Sequence, residues 1–573
     1  MKLVDYSQED FEELMQLFSV VANHDHGEIF RRIQISEMWA INARAQAHPS
    51  TSVAYEKVMS LMQEALVLSP TLQTQHFLLV NVVGKSKGLQ SDYVSFQIEN
   101  GRPKEAVEVL EQGRALLWSE MRGLRTSHDQ IAAADPVLAE RFADVNRNLQ
   151  IVTMSVAQSE SIGTGDSAAG NQAGNHEGMD PFGHLLMQQR RLSEERDSLI
   201  ARIQTLPGLK NFLKPPSFDV LNSAALWGPV IIINQSKWHS YIIVLRGSSP
   251  SIISTPVDFN DRANRLKNKL LRSRKESGLD SKDYDLTLSF VLSELYELVG
   301  KPVIERLRQL KVPEKSRIWW CPTSAFCSLP LHAMGPIPSH DGNELYFMDL
   351  YIPSYTPTLS ALIESRKSRS SPETPNKPLL LLVAQPDTLF AGWDEIGVVQ
   401  ATKTPVTPLV SSMATPKVVV ERLKDHQFAH FICHCSLETG KPFDTCFQLH
   451  GDNLTLLEIV RSQLPVAEFA FLSACHTAEL TGGSNDDEGL HLAGAMHYCG
   501  FRSVVGTMWA MADTDGADLS KHFYKYIFSV SPDMKGVPYH ERSARALQFA
   551  VEKLRRKRGM TLERWVNFVH YGA

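Results

Sequence analysis

The sequence of 573 residues predicts an all-α N-terminal region followed by a mixed α/β region. In residues 1–155, apolar side chains recur at helical spacing. From about residue 213 onward, short apolar runs bounded by breakers alternate with helical segments, a pattern typical of buried parallel strands in an α/β domain. Residues 156–182 are mostly small and polar, which predicts a flexible linker. The region after the linker is expected to extend over 183–573 and to begin with a helix near 183–205.

The composition is that of an ordinary globular chain, long enough for roughly two to four domains. Hydrophobic residues make up 43%, charged residues make up 21%, and the formal net charge is −6. The sequence has no dense basic stripe, so nucleic acid is not an expected partner. It also lacks an apolar run of about 18 residues, so no membrane span is predicted. Seven cysteines, an odd number, favour free thiols in a reducing compartment, so the expected location is the cytoplasm, with the nucleus as an alternative.

The N-terminal region contains several helical patterns. Ser7 and Asp10 have the spacing of a capping box, which marks the start of the first helix. Further patterns lie near residues 27–47, 51–67, 71–83, 89–100 and 103–126. The last two are joined by the turn Gly101-Arg102-Pro103 and resemble one tetratricopeptide-type (TPR-like) unit. Because such units need about three copies to bury a continuous core, the region is expected to end a longer array or to form a short capped one.

The α/β region contains apolar runs of strand length. The predicted strands are Val230–Ile233, Tyr241–Leu245, Ser251–Phe259, Arg317–Trp320, Leu379–Val383, Phe428–Cys433, Phe469–Leu472 and Ser503–Trp509. The predicted helices are 260–277, 285–310 and Leu454–Leu464, the last opened by Asn453 or Thr455. Because a strand–helix–strand crossover makes its strands parallel, the strands at Phe428 and Phe469 are expected to end at the same edge of the sheet.

His434 and Cys475 follow the carboxyl ends of these two strands. In open α/β sheets, ligands bind at that edge, so the two side chains are expected to approach one another. A thiol is mostly protonated at neutral pH, and an adjacent imidazole can take its proton and later protonate the leaving amine. The backbone N–H groups of Cys435 and Cys475 are candidates to stabilise the developing oxyanion. On these residues alone, two packed core side chains are the alternative interpretation.

The segments around this pair resemble a known family. HFICH, AFLSACHTAEL and DDEGLHLAGAMHYCGFRSVVGTMWAMAD, with PLHAMG and YIPSYTPTLSAL upstream, are similar to the CHAT domain. CHAT domains are caspase-like peptidases associated with tetratricopeptide arrays and related to separases. AVEVLEQGRALLWSEMRGLRT resembles the helical segment that precedes the domain in fungal members. The resemblance covers about residues 89–126 and 210–573.

This resemblance implies a caspase-like three-layer α/β/α domain. By analogy with separases, residues of about 213–350 are expected to form a degenerate pseudo-caspase half, and about 351–573 the catalytic half. The resemblance makes His434 the general base and Cys475 the nucleophile of an endopeptidase that needs no metal or other cofactor. The implied partners are a protein substrate and a protein bound by the helical repeats, which would regulate the peptidase. Family members often belong to immunity or cell-death systems, so the resemblance implies a substrate of such signalling.

Cys435 departs from the family pattern, which usually has glycine after the catalytic histidine. A side chain there restricts the backbone and the approach of substrate, so the alternative is a catalytically impaired pseudo-peptidase that acts as a scaffold. A zinc site that includes His430, Cys433 and Cys435 is disfavoured. In a strand, His430 and His434 would lie about 13 Å apart, too far for one tetrahedral ion.

Four acidic residues are candidates for a pocket that recognises a basic residue before the cleaved bond: Asp444, Asp486, Asp487 and Glu488. The last three precede a helix predicted over Gly489–Tyr498, where carboxylates also interact favourably with the helix N-terminus. Asp513 and Asp515 flank the loop after a predicted strand and are expected to be loop caps, with a role in the site as the alternative.

Overall fold

The structure is a computed structural model, and it describes most of the chain. The described residues are 7–24, 29–68, 88–114, 131–162, 181–210, 212, 216–278, 280–338, 344–367, 377–438, 441–462, 464–479, 491–529 and 536–573. They belong to two compact units, one formed by residues 1–93 and 116–216 and the other by residues 94–115 and 217–573. No helix within the described ranges is long and apolar enough to cross a membrane.

The first unit is helical, as predicted. The helices of the described residues up to 203 are α1 (Gln8–Ala22), α2 (Ile29–Ala45), α3 (Thr51–Leu68), α4 (Leu89–Glu99), α5 (Pro103–Gln112), α6 (Pro136–Ile162) and α7 (Pro181–Ile203). The capping box of α1 is present, since Ser7 Oγ accepts from the N–H of Asp10 at 3.2 Å and the Asp10 carboxylate accepts from the N–H of Ser7. The helical pattern near 71–83 lies outside the described residues. The predicted linker 156–182 overlaps the ends of α6 and α7, and its residues 163–180 also lie outside them.

Helix α5 and the end of α4 belong to the second unit, although their sequence resembles a helical repeat. The Glu111 carboxylate accepts hydrogen bonds from the N–H groups of Leu359 (2.9 Å) and Ser360 (2.8 Å). Glu108 accepts from the N–H of Phe218 at 2.6 Å. These bonds join residues more than 100 positions apart, so segment 94–115 is built into the α/β unit. Residues 183–216, expected to form one region with the α/β segment that begins near residue 213, belong to the helical unit.

The second unit contains a mixed sheet of eleven strands, which confirms the predicted α/β class. The strands of this unit are β1 (Val230–Asn234), β2 (Tyr241–Leu245), β3 (Pro250–Ser254), β4 (Arg317–Pro322), β5 (Ile352–Tyr355), β6 (Leu380–Ala384), β7 (Val406–Val410), β8 (Phe428–Ile432), β9 (Cys435–Ser436), β10 (Cys446–Gln448), β11 (Asn453–Thr455), β12 (Phe469–Ser473), β13 (Ser503–Thr507) and β14 (Phe568–Gly572). The order in the large sheet is β3-β2-β1-β4-β5-β14-β13-β12-β8-β6-β7, and β9, β10 and β11 form a small separate sheet. The third predicted strand is shorter than expected and ends at Ser254, because Pro256 lacks the N–H that a ladder needs.

Helices connect these strands. They are α8 (Phe218–Asn222), α9 (Phe259–Glu276), α10 (Lys282–Leu295), α11 (Lys301–Gln309), α12 (Phe347–Leu350), α13 (Leu359–Arg366), α14 (Gly392–Gln400), α15 (Pro416–Leu423), α16 (Leu456–Arg461), α17 (Leu492–Cys499), α18 (Asp513–Ile527), α19 (Tyr539–Arg555) and α20 (Leu562–Val566). Thr455 caps α16 through a capping box, as one of the two expected caps. Every residue of β6, β8, β12 and β13 is buried, so both faces of this part of the sheet are covered.

Strand β14 lies in the middle of the large sheet. It runs parallel to β5 and antiparallel to β13. On one side lie β1 to β5, which come from residues 230–355, and on the other lie β6, β7, β8, β12 and β13, from residues 380–507. The two halves expected from the sequence therefore share one continuous sheet, with β14 between them.

Candidate active site

Two neighbouring parallel strands position the predicted pair. Strands β8 and β12 are parallel, with Ile432 opposite Ser473, which confirms the predicted pairing. His434 lies two residues after Ile432, and Cys475 lies two residues after Ser473. Both residues therefore lie at the same distance beyond the end of the sheet. Both side chains line one narrow cleft with about 310 Å³ of empty space, part of it open to solvent. The cleft is lined by Leu389, Gly392, Glu395, Ile432, Cys433, His434, Ser473, Ala474, Cys475, Met511 and Asp513.

The ring of His434 is oriented by a backbone carbonyl. Its Nε2 lies 3.1 Å from the carbonyl oxygen of Thr388, in the turn that follows β6. A carbonyl oxygen only accepts hydrogen bonds, so Nε2 carries the proton of the neutral ring. Nδ1 then holds the lone pair, and this nitrogen can act as a base toward a neighbouring thiol.

The thiol of Cys475 is half-buried and in contact with the backbone of Met511. The N–H of Met511 donates to Sγ at 3.4 Å. Burial raises the pKa of the Cys475 thiol, the Met511 contact lowers it, and the carboxylates of Asp513 and Glu479 raise it further. Because the net direction is upward, the thiol is protonated in the resting state, and attack on a carbonyl requires that its proton be removed.

The backbone N–H of Cys435 points away from the small sheet. The N–H of Gln448 donates to the carbonyl of His434 at 2.9 Å, and Cys435 lies opposite Phe447. Hydrogen-bonded pairs alternate along an antiparallel ladder, so the next bonded pair includes Ser436, and the N–H of Cys435 faces away from β10. Cys435 is not one of the described residues with positive φ, so its backbone conformation does not require glycine.

An ion pair from α9 holds the turn after Cys475. His476 has φ of 59°, a left-handed conformation that non-glycine residues seldom adopt, and its N–H donates to the carbonyl of Trp509 at 3.2 Å. Its Nδ1 contacts the Glu479 carboxylate, which in turn pairs with Arg274. The Arg274 guanidinium also lies 5.9 Å from the centre of a Trp509 ring. Arg274 therefore neutralises a carboxylate that disfavours the thiolate of Cys475.

The pH dependence of Cys475 alkylation follows from these contacts. Since burial raises the pKa of the thiol, the alkylation rate with iodoacetamide is expected to rise with pH and reach its midpoint above the ordinary value of about 8.5. Arg274→Met should move the midpoint further up, because Glu479 loses its counter-ion, and Glu479→Gln should move it down. Peptide mapping by mass spectrometry resolves the labelled cysteine.

The exposed Arg272 of the same helix supplies the matched control, and Arg272→Met should leave the midpoint unchanged. A wild-type midpoint below about 8.5 would contradict the expectation and would indicate a preformed thiolate–imidazolium pair.

A buried polar network lies directly beneath the cleft. The Glu395 carboxylate, 2% exposed, lies 3.0 Å from His430 Nε2 and accepts from the hydroxyls of Ser473 (2.8 Å) and Ser520 (2.6 Å). His430 Nδ1 lies 2.7 Å from the Tyr524 hydroxyl. Burial raises the pKa of Tyr524, so this hydroxyl keeps its proton. The network connects β8, β12, α14 and α18, and so it fixes the floor of the cleft.

The acidic residues predicted for substrate recognition have different positions. Asp444 is exposed and is not among the residues that line the cleft. Asp486, Asp487 and Glu488 lie outside the described residues. Asp513 does line the cleft, and its carboxylate accepts from the N–H of Phe390 at 2.8 Å. The sequence had favoured a loop cap for Asp513, with a role in the site as the alternative.

Three cleft features escaped the sequence analysis. Thr388 acts through its carbonyl oxygen and Met511 through its N–H, and no side-chain pattern marks such backbone roles. Glu395 lies in α14, where an acidic residue in the first turn is ordinary. Its adjacency to buried apolar Ile396 and Val399 was the available signal of burial. Within the described ranges, no group of three histidine, cysteine or acidic side chains is placed to hold a metal ion.

Among solved structures, the chain is similar to the Saccharomyces cerevisiae separase–securin complex, with a TM-score of 0.37 and 9% identity. This match covers 99% of the present chain and 48% of the other, so the chain spans about half the length of that structure. The Arg-specific cysteine proteinase gingipain R matches with a TM-score of 0.29 and 11% identity, over 55% of this chain and 74% of that chain. The complex of Porphyromonas gingivalis RgpB pro- and mature domains matches with a TM-score of 0.31 and 10% identity, over 56% of this chain and 77% of that chain.

No curated protein sequence matches the chain. A protein family does match, and the matched residues hold His434, Cys475 and every other residue that lines the cleft. The family indicates a caspase-like cysteine peptidase fold for this part of the molecule. Residues 290–573 of this chain belong to the CHAT domain family.

Proposed function

We propose that this protein is a cysteine endopeptidase that hydrolyses peptide bonds through His434 and Cys475. The observation that carries the proposal is their common cleft, which is located at the carboxyl ends of two paired parallel strands. The Thr388 carbonyl supports it further, since it leaves Nδ1 of His434 as the basic nitrogen. Membership of residues 290–573 in the CHAT domain family is the second line of support.

In the proposed mechanism, Nδ1 of His434 takes the proton of the thiol as Sγ of Cys475 attacks the substrate carbonyl carbon. The N–H groups of Cys435 and Cys475 donate to the resulting oxyanion. The C–N bond then breaks, the imidazolium gives its proton to the leaving amine, and a thioester forms. Water attacks the thioester with His434 as the base, which releases the new carboxylate and restores the thiol. No metal or other cofactor takes part in these steps.

The proposed substrate is a protein, and acidic residues supply a basis for its selection. Asp513 lines the cleft, so its carboxylate is a candidate for recognising a basic residue before the cleaved bond. Asp444, which is not among the residues that line the cleft, and the predicted group 486–488 are further candidates. The N-terminal helical unit is proposed to bind a protein partner that regulates cleavage, in an intracellular pathway such as immunity or cell death.

A second candidate function is that of a pseudo-peptidase scaffold. Within the described residues, the polar contacts of His434 and Cys475 go to Thr388 and Met511 and not to one another. Burial also raises the pKa of the Cys475 thiol, and a resting thiol that is not activated would support this alternative. A protein that bound partners without catalysis would tolerate both features.

Cleavage of a mixed-position peptide library tests the proposal. The wild type is expected to cleave and Cys475→Ala to be inactive, with mass spectrometry identifying the cut positions. Cys327→Ala, which removes another half-buried thiol outside the cleft lining, should cleave like the wild type. A preference for Lys or Arg before the cut would support the role of Asp513. Absence of cleavage by the wild type, even with a protein bound to the helical unit, would favour the scaffold.

A further inference from the structure

Two large aromatic side chains beside the cleft are exposed to solvent. Phe390 is 92% exposed and Trp393 is 59% exposed. Isolated apolar residues are common on protein surfaces. Two aromatic residues within four positions, next to a cleft, form an apolar surface of the kind that binds other molecules. We call Phe390 and Trp393 the aromatic rim.

The backbone that carries the aromatic rim is fixed and is continuous with the cleft. Leu389 and Gly392, the neighbours of the two aromatic residues, both line the cleft. The N–H of Phe390 donates to the Asp513 carboxylate at 2.8 Å. A Cβ on Gly392 would lie 2.8 Å from Cα of Pro386, so this turn is closely packed. The aromatic side chains are therefore exposed on an ordered segment at the mouth of the cleft.

The same segment also orients the catalytic base. Thr388, whose carbonyl contacts His434, is two residues before Phe390. A polypeptide whose scissile bond is placed at Cys475 must pass over the mouth of the cleft. Residues near that bond would then contact the aromatic rim. Covering the exposed rings would remove apolar surface from water, which favours binding of an apolar group over a polar one.

We propose that the aromatic rim is a substrate subsite that binds a bulky apolar side chain close to the bond attacked by Cys475. This inference rests on the proposed peptidase function and adds a determinant of specificity to it. The exposed carboxylates of Asp387 and Asp394 flank the rim on its own segment, and Asp513 lies beside it. The polypeptide that carries the apolar residue is therefore expected to be neutral or basic.

Paired peptides measure this preference directly. The peptides are based on the library sequence that is cleaved best. For each position within four residues of the cut, one peptide carries Leu or Phe at that position and its partner carries Ser. At one of these positions, the wild type is expected to prefer the apolar residue by at least about tenfold in kcat/KM, the range that apolar pockets achieve. The double variant Phe390→Ser/Trp393→Ser should reduce that preference to less than about threefold, mainly through a higher KM.

Trp227→Ser provides the matched control, because Trp227 is 64% exposed but lies outside the cleft lining. It should keep the full preference. The alkylation rate of Cys475 should be the same in the wild type, the double variant and Trp227→Ser, which shows that the cleft is intact. If the double variant keeps the wild-type preference at every position, the rim is not a subsite and the inference is wrong.

Binding without cleavage separates this inference from the proposed function. Cys475→Ala is mixed with two fluorescent dodecapeptide pools that carry either Leu and Phe or Ser at their central positions, and binding is followed by fluorescence polarisation. Stronger binding of the apolar pool, lost when the rim is changed to serine, would support the rim even if the wild type cleaved nothing. Equal binding of both pools, together with cleavage that ignores apolar residues, would overturn the rim and leave the peptidase intact.

Discussion

Replacing His434 by alanine is expected to lower kcat/KM for peptide cleavage at least about 100-fold. The reason is that the Cys475 thiol is protonated at rest, since burial raises its pKa, and attack needs a base. In the proposed mechanism the imidazole also protonates the leaving amine, so its loss removes two proton transfers. The rates are measured with the best peptide from the library, under conditions in which the wild type is active.

Two controls separate this catalytic role from a structural one. Thr388→Ala keeps the backbone carbonyl that contacts His434 and should retain activity within about twofold, whereas a role for the threonine side chain would reduce it. His450→Ala removes an exposed histidine outside the cleft lining and should have no effect. Full activity of His434→Ala would contradict the proposed mechanism.

The second large effect is expected on stability. Glu395→Ala should lower the free energy of opening of the sheet around β8 and β12 by about 3–5 kcal/mol. The change removes the acceptor of His430, Ser473 and Ser520, which leaves buried donors without partners and creates a cavity. Hydrogen exchange of peptides that cover β8 and β12 measures this local loss, which a single melting temperature would not resolve in a chain of two units.

A surface carboxylate supplies the comparison. Glu364 pairs with Lys367 on α13 and is 41% exposed, so Glu364→Ala should change the opening free energy by less than about 1 kcal/mol. Glu395→Gln keeps an acceptor oxygen and the side-chain volume. Its loss of opening free energy should therefore lie between those of Glu395→Ala and Glu364→Ala. If β8 and β12 were equally protected from hydrogen exchange in Glu395→Ala and in Glu364→Ala, the buried network would not stabilise the sheet.

Much of the fold could be predicted because its signals are local. The capping box of Ser7 and Asp10 is contained in four consecutive residues. Apart from the third predicted strand, which ends five residues earlier than expected, short apolar runs bounded by breakers locate the predicted strands to within one or two residues. The run predicted at Leu379–Val383, for example, is observed at Leu380–Ala384. Strand β8 and strand β12 could be paired because one helix connects them.

The rest depends on contacts between residues that are distant in sequence. Phe568–Gly572 is a short run whose position between β5 and β13 is set by pairing across more than 60 residues. Glu111 lies in a helix whose sequence resembles part of a TPR-like unit, yet its carboxylate caps the helix that begins at Leu359. Neither partner carries a pattern that identifies the other.

The same distinction holds for the site. His434 and Cys475 could be located because both follow strand ends and lie in segments that resemble the CHAT domain. Glu395 could not, since an acidic residue in a helix is usually solvated, and this one is buried only because His430, Ser473 and Ser520 surround it. Its burial depends on three other elements of the fold.

Segment 94–115 belongs to the second unit while the residues on both sides of it belong to the first. The chain therefore passes from one unit to the other three times, after residues 93, 115 and 216. A protease that cuts once within 163–180 would leave two fragments, and each would still contain part of the helical unit and part of the α/β unit. Detaching the helical unit from the α/β unit would need a cut at every one of these connections. A single cut in the predicted linker is therefore not a means of releasing the α/β unit from the helical unit.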